Sequence, residues 1–314
     1  MAPALPDREL LKSDDIVRAE GFEAELEKLK GNLANWIDGA DQELKPLLEW
    51  QFLGRSKYFR PVTLFACHQA VSQEGHDDEV IRRAVAVEMM HNVSLIVDDI
   101  LDRSRYRRGI LTLHCRFGHL PALMASGFIA AGAFELCRSY PFGIERLAEL
   151  LKRLAAAEAL QWRLRRQPLG VEDWRHIAGE DTGTMFEVCA CLGTGDQRLR
   201  TYGRLLGMLY HGCDDVGDTR GAVALGGGGD QDLRDGILTL PAAFAIRDPE
   251  VAILFANPTE TDRKVLVSKI GAALEEAERY LDQLAEEAES EAKRMAPNPE
   301  PLIKLVRNTR RLSM

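Results

Sequence analysis

Apolar residues recur along this chain at intervals of three and four, the spacing of a helical face, and almost nowhere at intervals of two. The pattern predicts helices over Glu23–Lys30, Leu33–Leu53, Pro61–Gln73, Asp77–Asp102, Pro121–Ser139, Gly143–Arg166, Val171–Leu192, Leu199–Val216 and Thr259–Met295. Taken together they are rich in Leu, Ala, Glu and Arg, residues that lose little on entering a helix. No run of alternating β-branched residues and no Asn-Gly hairpin signal interrupts them. Breaks are expected at Gly54, Gly109, Pro121, Pro141, Pro168-Leu169-Gly170, Gly226–Gly229 and Pro297 to Pro301. Connections this short favour antiparallel neighbours, so the expected fold is all-α, a single large antiparallel helix bundle spanning 1–314.

Two of these helices are apolar nearly all round: Ala84–Ile100 and the segment around Ala122–Leu136. Such helices belong in the centre of a large fold. Glu275–Lys293, by contrast, is richly charged and reads as an outer, solvated helix.

The end of the first apolar helix carries Asp98-Asp99-Ile100-Leu101-Asp102, and the same D-D-x-x-D pattern returns as Asp214-Asp215-Val216-Gly217-Asp218. On a helix, positions i and i+4 lie roughly 40° apart around the axis, so Asp98 and Asp102 share a face, as do Asp214 and Asp218. Like charges stacked in this way weaken a helix unless a cation sits between them. Two such clusters on facing helices would make a cage for hard divalent ions such as Mg2+, which usually also hold substrate phosphates. Carboxylates at the mouth of an apolar cavity would suit an apolar chain with a diphosphate head. The candidate metal ligands are thus Asp98, Asp99, Asp102, Asp214, Asp215 and Asp218.

The charge of −9 excludes nucleic acid as the main partner, since that needs a basic face. It does not exclude anionic substrates, because bound metal ions invert the local field. The six cysteines form no paired C-x-x-C signature and read as buried, reduced thiols of a cytoplasmic protein. Residues 1–20 lack the apolar core of a signal peptide. The longest uncharged apolar stretch, about His119 to Phe134, is short for a bilayer and reads as a core helix, so no membrane span is expected.

Basic residues flank the first cluster. Arg103-Ser104-Arg105-Tyr106-Arg107-Arg108-Gly109 follows it, and Gly54-Arg55-Ser56-Lys57-Tyr58-Phe59-Arg60-Pro61 precedes it. Guanidinium forks suit phosphate recognition. Together these segments resemble the trans-isoprenyl diphosphate synthase (polyprenyl synthetase) family, with its G-G-K-R-x-R-P element, aspartate-rich motif followed by R-R-G, K-T-G element and second D-D-x-x-D. The resemblance runs from about residue 54 to Pro241, and includes Glu88–Val97, Thr112–Gly118 and Asp232–Pro241.

The resemblance implies a homodimeric prenyltransferase with three Mg2+ per active site. Its substrates would be an allylic diphosphate and isopentenyl diphosphate. Asp98, Asp102 and Asp214 would coordinate the ions, with Asp99, Asp215 and Asp218 in support. Arg107 would contact the allylic diphosphate, and Lys57, Arg60, His91 and Arg108 the isopentenyl diphosphate. Thr182 and His211 stand at the allylic side. The chain departs from the family pattern at Asp181, Gly227 and Ile237, where the family has Lys, at Tyr58 in the K-R pair, and at Tyr210-His211 in place of F-Q. Arg103, Arg105, Arg220 and His211 are candidates to compensate. Small residues at Val93 and Ser94, before Asp98, imply a product of twenty carbons or more. A class I terpene cyclase or a transferase with another acceptor is the alternative on the same fold.

Overall fold

The computed structural model describes residues 18–52, 56–72, 74–224, 231–259 and 261–313. Gly54, Arg55 and Gly226–Gly229, including Gly227, lie outside them. Apart from one two-stranded hairpin, every regular element among the described residues is helical. The chain divides into two compact units: residues 1–149 with 188–198, and residues 150–187 with 199–314.

The first unit is built around α4 (Asp78–Leu101), which packs on α1 (Glu23–Asp38), α3 (Phe59–Val71) and α6 (His119–Leu136). Helix α2 is Lys45–Phe52 and α5 is Leu113–Phe117. The Asp77 carboxylate starts α4 by accepting from the backbone N–H groups of Glu79 and Val80 at 3.0 and 2.8 Å. From Val80 to Ile96 nearly every side chain is buried, as the all-round apolar pattern predicts. The gap left between the predicted helices Glu23–Lys30 and Leu33–Leu53 is helical in the structure. Helix α1 runs through it and stops at Gly39, because Asp41 nucleates the next turn and Pro46 suits only the first turn of α2.

The expectation that Ala122–Leu136 is buried on all sides is corrected. Only its small face is buried: Ala122, Ala125, Ser126, Ile129, Gly132 and Ala133. Small residues let α6 approach α4 closely; a Cβ at Gly132 would stand 2.6 Å from Trp36 and 2.7 Å from Met89. The opposite face leaves Leu120, Leu123 and Met124 more than half exposed. By length and composition α6 could cross a membrane, with 33% of it buried here.

One hairpin forms although the sequence carries no Asn-Gly signal for it. Tyr106–Arg107 (β1) and Ile110–Leu111 (β2) pair antiparallel. Their two-residue loop, Arg108-Gly109, has φ of 53° and 83°. Positive φ at both positions is the type I′ geometry that matches strand twist, here supplied by Arg-Gly in place of Asn-Gly.

The second unit is centred on α10 (Arg200–Ala224), which packs on α8 (Val171–Glu180), α14 (Arg263–Ala272), α15 (Leu274–Met295) and α16 (Glu300–Arg310). Between α10 and α14 lie α11 (Gln231–Asp235), α12 (Leu240–Ala245) and α13 (Pro249–Ala256). Helix α15 is an outer helix, as predicted, with one buried stripe: Ala277, Leu281, Leu284 and Ala288. The helix predicted over Val171–Leu192 is broken at Asp181, whose ψ of −97° ends α8 before α9 (Thr182–Thr194). Helix α10 touches the break. A Cβ on Gly207 would stand 2.7 Å from the Gly183 Cα, so only glycine fits there. Helix α7 (Pro141–Leu164) completes the set.

Candidate functional site

In the first unit the aspartates fall where α4 ends. The turn closes as a Schellman motif: Ser104 N–H donates to Asp99 O at 2.9 Å and Arg103 N–H to Ile100 O at 3.3 Å. Arg103 takes the left-handed conformation this requires, with φ of 53°. Asp102 is exposed, Asp98 is half-buried and Asp99 is buried. Three carboxylates therefore crowd the negative end of a helix dipole whose last turn holds no basic residue. This is unfavourable by itself and is relieved by a cation.

Asp99 faces inward and accepts from Arg107 Nε at 2.7 Å. Burial pushes its carboxyl pKa above the ordinary value, and Arg107 works in the opposite direction. The contact folds the hairpin back towards α4. Further ties hold it there: Thr112 Oγ1 donates to Ser104 O at 2.7 Å, and Trp50 Nε1 to Leu111 O at 2.9 Å. The Arg116 guanidinium stacks on Trp50 at 3.7 Å.

His91 is buried, and its pKa lies well below the ordinary value. Burial is the largest cause, followed by the positive charges of Arg60, Arg108, Arg107 and Lys57. Lys57, Arg60, Arg107 and Arg108, four of the cations that the sequence singled out on this side, thus all act on one neutral imidazole. Tyr58, where the family pattern has a cation, starts α3 in a left-handed conformation with φ of 52°. Burial and the negative charge of Glu88 push its phenol up to about 12, so it stays neutral.

In the second unit the three aspartates on α10 have different surroundings. Asp214 is exposed and Asp218 half-buried, while Asp215 is buried. Asp215 Oδ2 accepts from Trp174 Nε1 and from the Leu240 backbone N–H, both at 2.8 Å. It therefore ties α8 and α12 to α10. Thr182 Oγ1 lies 2.9 Å from His211 Nδ1, a contact made possible by the break at Asp181. His211 also lies 3.7 Å from Asp181 Oδ2 and 3.7 Å from Asp215 Oδ1. Burial opposes its protonation, but the charges of Asp215, Asp181, Asp214 and Asp232 prevail and raise its pKa. His211, a candidate to replace the lost lysines, is set among these carboxylates. Arg220 instead pairs with Glu278. Ile237, where the family has Lys, is half-buried beside the Gly236 turn.

No group of three His, Cys, Asp or Glu side chains converges on one point among the described residues. Asp98, Asp102, Asp214 and Asp218 nevertheless offer the oxygen-only donors that Mg2+ prefers, and the exposed ones remain open to solvent. The donor chemistry fits the ion.

Sequence reasoning missed Trp174, which carries no signal as a lone aromatic, and Glu88. The signal for Glu88 was present: an acid in the middle of an otherwise apolar helix. Cys115 is exposed, contrary to expectation, while Cys67, Cys137, Cys189, Cys191 and Cys213 are buried as free thiols. A surface groove of about 630 Å³ lined by Leu205, Gln283 and Glu287 holds none of the predicted site residues.

The Polyprenyl synthetase family matches residues 41–277. The chain is 28% identical to geranylgeranyl pyrophosphate synthase 4 of Arabidopsis thaliana over 258 residues, 72% of this chain and 69% of that protein. It is 26% identical to octaprenyl diphosphate synthase of Haemophilus influenzae over 315 residues, covering 91% and 94%. Among solved structures, polyprenyl synthase from Caulobacter crescentus, complexed with calcium and isoprenyl diphosphate, superposes with a TM-score of 0.81 at 26% identity, covering 96% and 98%. Heptaprenyl diphosphate synthase from Staphylococcus aureus shares the fold with a TM-score of 0.83 at 20% identity, covering 93% and 98%. With its aspartate clusters, its arginine hairpin and a match over most of its length, the chain belongs to the polyprenyl synthetase family of Mg2+-dependent trans-prenyltransferases.

Proposed function

We propose that this protein joins an allylic diphosphate to isopentenyl diphosphate and releases a trans-polyprenyl diphosphate of twenty carbons or more. The observation that carries the reading is that Lys57, Arg60 and Arg108 all lie close enough for their charges to act on the buried His91. A cyclase ionises a single diphosphate and has no use for this second cationic site. Asp98, Asp102 and Asp214 would hold Mg2+, three ions per active site, with Asp218 in support. Bound there, the ions supply charge stabilisation to the departing diphosphate. Lys57, Arg60 and Arg108 bind the isopentenyl diphosphate, and His91 orients it as a neutral donor. Arg107 serves the allylic diphosphate once it leaves Asp99. Thr182 and His211 add donors on that side and offset the acid at Asp181. The allylic C–O bond breaks, the isopentenyl double bond attacks the resulting cation, and the proton lost passes to the released diphosphate.

The test incubates the protein and Mg2+ with allylic diphosphates of five to twenty carbons, with and without isopentenyl diphosphate. Elongation only when both are present supports the reading. A hydrocarbon from the allylic substrate alone would establish a cyclase instead, and consumption of neither would point to another acceptor. In the same assay Val93→Phe is expected to shorten the product, and an unchanged chain length would defeat the length assignment.

The exposed face of α6 supports a homodimer, the second copy covering Leu120, Leu123 and Met124. An apolar stripe along an 18-residue helix is the kind of surface that a second copy buries. Leu123→Lys with Met124→Glu is expected to convert a dimer into a monomer by light scattering. A parent that is already monomeric, or that floats with liposomes, would count against this.

A further inference from the structure

Charged side chains from four helices meet where α8 gives way to α9. Glu180 is the last residue of α8, and Glu187 on α9 is 3% exposed. Arg153 on α7 grips Glu180 with two donors, Nε at 3.0 Å and Nη2 at 3.2 Å, and reaches Glu187 with Nη1 at 2.8 Å. Arg204 on α10 also meets both acids: its Nη2 donates to Glu180 at 2.7 Å, and its Nη1 lies 3.6 Å from Glu187. Arg200 adds a further cation to Glu187 at 2.6 Å. Two arginines thus each join the acid before the break at Asp181 to the acid after it, and the planar guanidinium fork makes those joints directional. A carboxylate as buried as Glu187 is costly without such partners, so the cluster needs a reason.

What the clamp brackets is Asp181-Thr182-Gly183, and α10 packs against this stretch at successive turns. A Cβ on Gly179 would stand 2.7 Å from Arg204 Nη2, and one on Gly207 would stand 2.8 Å from Thr182 O. One turn further along, Thr182 Oγ1 meets His211 Nδ1 at 2.9 Å. Arg204, Gly207, His211, Asp214 and Asp218 lie within roughly 80° of one another around the α10 axis. Arg204 precedes Asp214 by about 15 Å of helical rise, too far to touch a diphosphate held there. The clamp therefore shares the stripe of the second aspartate motif and reaches it only through the residues between.

We propose that Glu180 is a positioning residue for the allylic diphosphate. Gripped by Arg153 and Arg204, with Glu187 as their common anchor, it sets the turn at Asp181 so that the Thr182 hydroxyl stays beside His211. None of these four charged groups touches the substrate; they act through Thr182. The proposal rests on the reading of Thr182 and His211 as donors on the allylic side.

The test is a double-mutant cycle read by calorimetric titration in Mg2+ with an allylic thiolodiphosphate, whose bridging sulfur resists ionisation, so that no turnover is required. Glu180→Gln keeps the shape of this half-buried side chain and removes the charge that both arginines grip. Its Kd for the analogue is expected to rise about 5-fold, and that of Thr182→Ala about 10-fold. The double variant should bind no more weakly than Thr182→Ala, because Glu180 acts through that hydroxyl. The Kd for isopentenyl diphosphate alone should change by less than about 2-fold throughout. Losses that multiply in the double variant, to about 50-fold, place the effect elsewhere and overturn the proposal. So does an unchanged Kd for Glu180→Gln, or an equal loss for both substrates, which marks a merely structural role. Should Glu180→Gln fail to fold, Arg204→Lys decides in the same cycle, since one ammonium cannot span both acids as the fork does. A rise of about 3-fold that is absent in the Thr182→Ala background is then expected, and no rise overturns the proposal. An unchanged Kd for Thr182→Ala alone removes Thr182 from the allylic side and the proposal with it. A parent that binds the analogue yet elongates no allylic substrate defeats the proposed function and leaves the role of Glu180 standing. A parent that does not bind it defeats both.

Discussion

Asp98→Ala is expected to lower kcat by about 10^3-fold while leaving the fold intact or slightly firmer. The two halves of this result have separate causes. The activity falls because the half-buried Asp98 is a proposed Mg2+ ligand at the rim of the first motif. The apparent Mg2+ affinity should fall with it, since the remaining carboxylates must hold the ion alone. The stability does not fall, because Asp98 sits at the negative end of α4 beside Asp99 and Asp102. Removing one charge there relieves the dipole and the like-charge pair, a gain of about 0.3–1 kcal/mol. Kinetics across a Mg2+ series, with urea unfolding of the same preparation, check both halves. More than a tenth of the parent activity at saturating Mg2+ would remove Asp98 from the proposed ligand set.

Asp215→Ala should behave in the opposite way, although Asp215 belongs to the same kind of motif. Its Oδ2 is the acceptor for Trp174 Nε1 and Leu240 N–H, both in the interior. Truncation leaves two buried donors without an acceptor, at about 1–3 kcal/mol each. Relief of the buried charge offsets part of that, so a net loss of about 2–4 kcal/mol is expected in urea unfolding of the metal-free protein. Asp215→Asn retains the carbonyl oxygen as an acceptor and should lose less. Linkage supplies a further check. Burial raises the Asp215 pKa in the folded state above its unfolded value. Its contribution to stability is therefore fully present below the unfolded pKa and is lost as pH rises through the folded one. The Asn variant should lack that part of the pH slope. Equal stability of parent and Ala variant would show that the tie between α8, α10 and α12 is not carried by this carboxylate.

The same contrast explains what was legible in advance. The i, i+4 arithmetic placed Asp98 with Asp102 and Asp214 with Asp218, and these are the partly or fully exposed members of each motif. It did not say which way the middle residues point. Asp99 and Asp215 both turn inward, one to Arg107 and the other to Trp174 and Leu240. Their partners are 8, 41 and 25 residues away, beyond the range of helical spacing. The lost lysine at Asp181 was equally visible, whereas the response to it was not. It depends on the break that brings Thr182 next to His211. The face of α6 shows the converse limit. Its sequence is apolar nearly all round, yet the fold buries only the side that meets α4, because periodicity counts apolar positions and not what packs against them.

The sequence by itself determined that the chain is helical, that Asp98 shares a helix face with Asp102 and Asp214 with Asp218, and that arginines and a lysine flank the first pair. Local spacing and composition are enough for that, since a helix fixes the relative direction of residues three and four apart. Tertiary structure alone decided which of these carboxylates are exposed and which are buried, and that His211 is the histidine set among those of the second cluster. Those outcomes depend on burial and on charges brought together from distant parts of the chain.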